Sequence, residues 1–138
     1  MLAMSSYPTP YIEGCRAQMQ AQLAAYRALV AAAPGPALAE FEPLFFNNLV
    51  LVLETCFMHR TRAVEKKDGN PLNEVRMLAA SLLEHGGVLT ADSTIKYNPD
   101  KAVLKLPIGA PIRLTAAGFT ALAEAYFAAL TAKFGQAG

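Results

Sequence analysis

Cys56 and His59 are the two residues whose types and spacing come nearest to a reactive site. They lie three residues apart on a predicted helix, so their side chains can touch, and Arg60 follows Cys56 by one turn. A cationic neighbour lowers the pKa of a thiol, and the thiolate is the nucleophilic form. The alternative is a buried, inert cysteine, which the apolar residues around Cys56 favour. We expect the same of Cys15, so both thiols are predicted to be free, as is usual in a reducing cytosol.

Polar side chains are few in the apolar stretch Leu44–Met58, and each buried one needs a hydrogen-bond partner. Three settings would satisfy them: a pocket in which a few polar groups orient a small molecule, bonds to backbone across the core, or a subunit interface. For the pocket, the candidate ligand-binding residues are Asn47, Asn48, Glu54, Cys56 and His59.

A candidate anion-binding site lies where the chain turns before the next predicted helix. Its members are Arg62, Lys66, Lys67 and Asn70. A helix N-terminus offers free amide groups and a favourable dipole, and neighbouring cations add attraction for a phosphate or carboxylate. The turn has a single glycine and so lacks the cradle of a phosphate-binding loop, which favours the alternative of a capped turn with solvated lysines.

Metal and catalytic motifs are missing from the sequence. The two histidines, His59 and His85, have no second ligand at metal-binding spacing. Ser81 precedes His85 by four residues, but no glycine-flanked elbow surrounds it and no acid is placed to orient the imidazole. The sequence therefore predicts no metal, no cofactor and no catalytic residue.

The composition is apolar and almost neutral. Hydrophobic residues make up 54% of the chain and charged residues 17%, with a net charge of +1. Alanine at close helix contacts explains part of this excess, and an apolar surface covered by a second subunit would explain the rest, so we predict a homodimer. So small a net charge provides no field to attract a nucleic acid backbone, which argues against DNA or RNA as partners.

The stretch Leu44–Met58 is predicted to be the central core helix and not a membrane span. A span needs about 20 mostly apolar residues. Any window of that length here includes Glu54 and His59, or Glu42 and Pro43. Residues 1–10 have no basic region followed by an apolar run, so no signal peptide is predicted and the protein is expected in the cytoplasm.

The first two of four predicted main helices are separated by prolines. A flexible arm at residues 1–10 precedes a single domain at residues 11–138. Pro34-Gly35-Pro36 ends the first helix, and Pro43 predicts a break or a kink before the central helix. The central helix is predicted to run to about Lys66 and to be enclosed by neighbours on nearly all sides. The first helix has an apolar stripe made of Ile12, Cys15, Met19, Leu23, Tyr26 and Val30.

The second half of the domain is predicted to mix helix and strand. Asn70 and Thr115 are the predicted N-caps of the third and fourth main helices. Between those helices, residues 94–97 and 103–106 have the pattern of two strands joined by the loop 98–101. Short strands at 88–90 and 112–114 would extend this hairpin. The predicted fold class is therefore α+β, with four helices around the central one and a small antiparallel sheet.

Three strings carry a resemblance over nearly the whole chain. They are Phe45-Phe46-Asn47-Asn48 with His59-Arg60, the run Lys67–Val75, and Ile112-Arg113-Leu114-Thr115. With these strings the chain resembles a family of bacterial conserved hypothetical proteins without an established activity. The resemblance implies a bacterial, cytoplasmic setting and no reaction.

Two functions follow from these observations. The first is a non-enzymatic ligand-binding or protein-interaction domain that acts as a homodimer, supported by the missing motifs and the apolar excess. The alternative is a small enzyme or small-molecule binder that uses Asn48, Glu54, Cys56 and His59 of the central helix.

Overall fold

A computed structural model describes residues 3–136, and over that range the protein is all-helical. The helices are α1 (Thr9–Ala32), α2 (Pro36–Cys56), α3 (Arg62–Glu65), α4 (Pro71–Glu84) and α5 (Ala116–Phe134). Residues 3–136 contain no strand, so the predicted α+β class is wrong. Residues 1 and 2 of the predicted arm, and residues 137 and 138 of the predicted domain, lie outside the described range.

The predicted hairpin is wrong because its backbone groups bond locally and to helices rather than to each other. The amide of Ile95 donates to Asp92 O and the amide of Ala102 donates to Asn98 O, which are turn bonds. Glu74 on α4 accepts from the amides of Val103 at 2.8 Å and Leu104 at 2.9 Å. A carboxylate thus takes the place of a partner strand.

The further predicted strands, 88–90 and 112–114, are reduced to one isolated antiparallel bridge between Val88 and Pro111. Proline has no backbone N–H to donate to a neighbouring strand, so Pro107 and Pro111 prevent this bridge from extending into a ladder. The segment between α4 and α5 is therefore an irregular connection whose backbone is hydrogen-bonded by helix side chains.

Helix α2 differs from the predicted central helix at both ends. It begins at Pro36 and continues through Pro43, so of the predicted break or kink at that position the break is wrong. Pro43 cannot donate to the carbonyl of Ala39, but a single missing bond is tolerated when the following turns are buried. The helix ends at Cys56 rather than near Lys66, because the chain turns at Phe57 and directs Arg60 into the interior.

The prediction that this helix is enclosed on nearly all sides is also wrong. One face is buried, with Phe46, Leu49, Val50 and Leu53 at 2% exposure or less. The opposite face is open to solvent. The core forms where α2 packs against α4 and α5, with α1 lying across α2 and α5.

The predicted stripe of α1 and both predicted caps are confirmed. Apart from Val30, every residue of the α1 stripe is buried. The side chain of Asn70 accepts from the amides of Leu72 and Asn73, and Thr115 accepts from Gly118. These signals are local, and the structure follows them.

Residues 3–8, which belong to the predicted flexible arm, lie against the helical body. The amide of Met4 donates to His59 O at 2.6 Å, and Thr61 donates to Met4 O at 2.8 Å. Tyr7 is 5% exposed and its ring meets that of Phe57 edge-on at 5.0 Å. The N-terminal segment therefore contributes a core side chain.

Candidate functional site

Arg60 is the centre of a charged cluster that consists of Glu54, Arg60, Glu65, Asn73 and Arg76. Its guanidinium is fully buried and lies 2.8 Å from Glu65 Oε1 through Nε and 2.9 Å from Glu54 Oε1 through Nη2. The same group donates to the backbone carbonyls of Phe57 and Leu72 at 3.0 and 3.1 Å. Nε is within ion-pair distance of Glu65 but makes no hydrogen bond of normal geometry among the described residues, so the guanidinium is stabilised at that atom by charge rather than by a directed bond.

Glu65 is the better compensated of the two acids. Arg76 donates to both its carboxylate oxygens, and Asn73 Nδ2 donates at 2.7 Å. Burial alone would raise the pKa of Glu65, but the hydrogen bond from Arg76 and the charge of Arg60 outweigh it, so the pKa lies below its ordinary value. Among the described residues Glu54 forms an ion pair with Arg60 alone, and burial raises the pKa of Glu54 despite that pair.

Two tyrosines with buried hydroxyl groups, Tyr7 and Tyr126, lie near the charged cluster. Arg60 Cζ lies 5.7 Å from the centre of the Tyr126 ring. The hydroxyl groups of Tyr7 and Tyr126 are buried and have no hydrogen-bond partner among residues 3–136. Burial raises the pKa of both phenols, so both are neutral donors at physiological pH.

An open depression of about 500 Å³ borders the charged cluster. His59, Arg62 and Arg76 contribute side chains to its lining, Arg60 borders it with its guanidinium buried in the cluster, and none of the lining residues is acidic. Arg62 donates from Nη2 to Thr94 Oγ1 at 3.1 Å, whereas its Nε is buried without a partner among the described residues. The depression can therefore offer hydrogen-bond donors to a ligand.

The five predicted ligand-binding residues do not converge. Asn47 holds the backbone of the α4–α5 connection, donating to Ile112 O at 2.9 Å and accepting from Leu114 N at 3.1 Å. Asn48 is exposed on the far side of α2, and Glu54 belongs to the charged cluster. Cys56 is half-buried in contact with the core, and His59 lines the depression.

The predicted anion-binding set is likewise dispersed. The amides of Leu72 and Asn73 already donate to Asn70 Oδ1 at 2.9 and 3.3 Å, so the first turn of α4 has little left to offer an anion. Lys66 and Lys67 are exposed. Arg62 alone lines the depression, away from Asn70.

Cys56 is not activated by its cationic neighbour. Arg60 is occupied by Glu54 and Glu65, and burial together with the neighbouring Cys15 thiol raises the pKa of Cys56 to about 12. A nucleophilic thiol needs the opposite shift. The sequence favours a buried cysteine, whereas Cys56 is half-buried, and its raised pKa makes it a slow nucleophile near neutral pH.

The outer face of α2 is an apolar feature of the surface. We define it as the row Ala37, Phe41, Leu44, Asn48, Val52 and Thr55, which recurs every three or four residues. Phe41 is 43% exposed, Leu44 66% and Val52 40%. No member is charged, whereas a surface helix ordinarily places its charges on this side. Leu29 and Ala33 of α1 continue the apolar surface beside Phe41.

Glu65 and Tyr7 are residues that sequence reasoning missed, and Arg60 was considered there only as the cationic neighbour of Cys56. Nothing in the sequence separates Arg60 and Glu65 from ordinary surface charges, because their burial depends on the turn after α2. Tyr7 lies among prolines and serines that indicate a loose segment. An apolar aromatic residue in that segment is the one signal that favours docking.

Comparisons with known protein families, with curated proteins and with solved structures found no match to this chain. Helix α2 is the one described helix long and apolar enough to cross a membrane, with a mean hydropathy of 1.2 and 28% of the window buried. Core helices of soluble proteins meet the same criterion.

Proposed function

We propose that this protein is a non-enzymatic interaction domain that acts as a homodimer, joined through the outer face of α2. The observation that carries the proposal is the exposure of Phe41, Leu44 and Val52 on one uncharged row. Exposed apolar surface of this kind marks interaction sites.

A second copy of the chain is the partner that the order of residues in the row supports best. A two-fold interface brings one patch against itself, so the patch must be self-complementary. With Asn48 on the axis and the helices antiparallel, Leu44 faces Val52 of the partner subunit and Phe41 faces Thr55 of the partner subunit. From Phe41 to Thr55 the spacing of the row is symmetric about Asn48, so apolar positions meet apolar or small ones, and Ala37 lies beyond the paired part of the row.

Asn48 then has a defined role. Its side-chain amide carries both a donor and acceptors, so two copies on the axis can bond to one another. A single polar residue in an apolar helix interface fixes register and orientation. The row from Ala37 to Thr55 would be about 27 Å long. A stable dimer buries about 800 Å² per subunit, and Leu29 and Ala33 extend the row toward that area.

Sedimentation velocity of wild type, Leu44→Glu and Leu83→Glu tests the dimer. Leu83 is 72% exposed on α4, outside the row, and is the matched control. We expect wild type and Leu83→Glu to be dimers and Leu44→Glu to be a monomer with an unchanged helical spectrum, because each dimer would bury two carboxylates. A monomeric wild type contradicts the proposal. Cosedimentation of wild type with phospholipid vesicles, abolished by Leu44→Glu, assigns the row to a membrane instead.

A second candidate function is the binding of a small carboxylate or phosphate in the depression at His59 and Arg62. The supporting observation is the buried, unpartnered Nε of Arg62 among the described residues, beside the part-exposed Arg76. Asp92 is the acid that competes with a ligand for these two arginines. Its pKa is lowered mainly by hydrogen bonds from Thr94, and the charges of Arg62 and Arg76 lower it further. A bidentate anion would fit the guanidinium edge.

Thermal unfolding in inorganic phosphate and in succinate tests this second function. Ligand that binds the folded state raises the melting temperature. We expect the rise in wild type and in the exposed control Lys101→Gln, and its loss in Arg62→Gln. An equal rise in all three proteins, or none in any, contradicts a site at Arg62.

A further inference from the structure

The two cysteines of the chain come from different helices and lie together. Cys15 faces the core from α1 at 7% exposure, and Cys56 is the half-buried last residue of α2. Tyr11, one turn before Cys15, donates from its hydroxyl to the backbone carbonyl of Cys56. Its ring also meets Phe57 edge-on at 5.5 Å. The start of α1 is thereby fixed against the end of α2.

The thiols are neighbours within this contact. Cys15 follows Tyr11 by one helical turn, and the Tyr11 hydroxyl donates to the carbonyl of Cys56, so Cys15 lies on the side of α1 that meets the end of α2. The proximity of Cys15 is also one cause of the raised pKa of Cys56. Sequence spacing predicts two free cysteines but gives no reason for them to meet. Packing of α1 on α2 brings them together.

We propose that Cys15 and Cys56 are a paired modification site at which a small-molecule disulfide oxidises the protein to an intramolecular disulfide between α1 and α2. Cys56 is the entry point because it is the more exposed of the two. No part of this proposal depends on the outer face of α2, which lies on other positions of the helix.

The reaction balances over two exchange steps. The Cys56 thiolate attacks one sulfur of the small disulfide, forms a mixed disulfide and releases one small thiolate, which takes up a proton. The Cys15 thiolate then attacks Cys56 Sγ, forms the Cys15–Cys56 bond and expels the second small thiol. The protein loses two protons and two electrons, and the small disulfide gains them as two thiols.

The surroundings make this reaction slow and dependent on pH. Burial raises the pKa of Cys56 to about 12, with the neighbouring Cys15 thiol adding to the shift. Only a small thiolate fraction exists near neutrality, and it rises tenfold with each pH unit below that pKa. The site therefore responds to sustained oxidising conditions rather than to a brief exposure.

Oxidised glutathione added to the folded full chain tests the pairing by intact-mass and peptide mapping. We expect wild type to lose the mass of two hydrogen atoms and to yield one Cys15–Cys56 cross-linked peptide pair. Cys15→Ala keeps an apolar side chain in the core and should instead accumulate glutathione on Cys56. Between about pH 7 and about pH 9, the initial rate should rise about tenfold per unit.

Three results overturn the proposal. They are a stable mixed disulfide on Cys56 in wild type, a disulfide that joins two chains, and cross-linking only after the protein has been unfolded in urea. Phenylarsine oxide, which bridges two adjacent thiols without an oxidant, gives a second measurement. We expect one arsenical per folded wild-type chain and none retained by Cys15→Ala or Cys56→Ala; equal retention by all three proteins contradicts adjacency.

Discussion

Glu65 and Arg60 form an ion pair in which both side chains are wholly withdrawn from solvent, with 2.8 Å between Glu65 Oε1 and Arg60 Nε. Glu65 lies on α3, a helix of only four residues. The shortest helix thus carries the most deeply buried acid, and its stability is tied to its electrostatic partners more than to its own hydrogen bonds.

Replacement of Glu65 by Gln should destabilise the protein by about 3–5 kcal/mol, because it leaves buried Arg60 and part-exposed Arg76 without their shared carboxylate. Urea denaturation measures the change in unfolding free energy. The matched control is Glu13→Gln, whose partner Arg16 lies 3.6 Å away in an exposed pair. That control should change stability by less than about 0.5 kcal/mol. An equal effect of both substitutions would refute the special role of Glu65.

Glu54 and Glu65 should give stability opposite dependences on pH. The folded-state pKa of Glu65 is lowered, so its contribution is present above its unfolded pKa and is lost as pH falls through the folded value. The folded-state pKa of Glu54 is raised, so its contribution is present below its unfolded pKa and is lost as pH rises through the folded value.

The variant Glu54→Gln isolates the second effect. Relative to this variant, wild type should lose unfolding free energy as pH rises from 4.5, the ordinary pKa of a glutamate side chain, toward neutrality. Denaturation series at several pH values measure the difference. If wild type instead gains stability over Glu54→Gln across that range, the pair with Arg60 outweighs burial at Glu54.

Asn47 and Asn48 are adjacent in sequence but should respond differently to replacement by Ala. Asn47→Ala removes two bonds to the backbone at Ile112 and Leu114, which should cost about 1–3 kcal/mol. Amide hydrogen exchange should quicken at Leu114, whose N–H loses its acceptor. Asn48→Ala should leave exchange at Leu114 unchanged, since Asn48 is exposed on the opposite face. Unchanged exchange in Asn47→Ala would show that the α4–α5 connection keeps its structure at Leu114 without Asn47.

Pro43→Ala should stabilise the protein by about 2 kcal/mol, because Ala supplies the N–H that α2 lacks at this turn and removes the clash of the ring with the preceding carbonyl. Part of the gain is offset by the greater freedom of the unfolded chain. The urea midpoint should rise with an unchanged slope. A fall in the midpoint would mean that the helix is shaped around the proline.

Local signals predicted much of the helical framework. The apolar stripe of α1 and the caps at Asn70 and Thr115 each depend on residues within one or two turns, and apart from Val30 at the end of the stripe the structure follows them. The hairpin failed because alternation of apolar and polar residues records which side chains are buried. It does not say whether Val103 and Leu104 bond to a strand or to the Glu74 carboxylate.

The candidate sites were less predictable than the helices. The sequence predicts that Cys56 is a buried cysteine in an apolar setting, whereas it is half-buried in the structure, and Cys15 is brought near it only by packing of α1. The ligand-binding set came from one stretch of sequence, whereas the helix directs Asn47, Asn48 and Glu54 to three different environments. Burial of Arg60 and Glu65 depends on the turn that ends α2, for which no residue type gives a strong signal.

The charged cluster has a consequence for the order of folding. Its five members lie within residues 54–76, so bringing them together closes only short loops at small entropic cost. Tyr126, whose ring lies beside the Arg60 guanidinium, and Tyr7 lie outside this stretch, one after it and one before it in the sequence. The charges can therefore pair early, while they are still hydrated. The costly removal of water from the cluster then follows when the long-range contacts form.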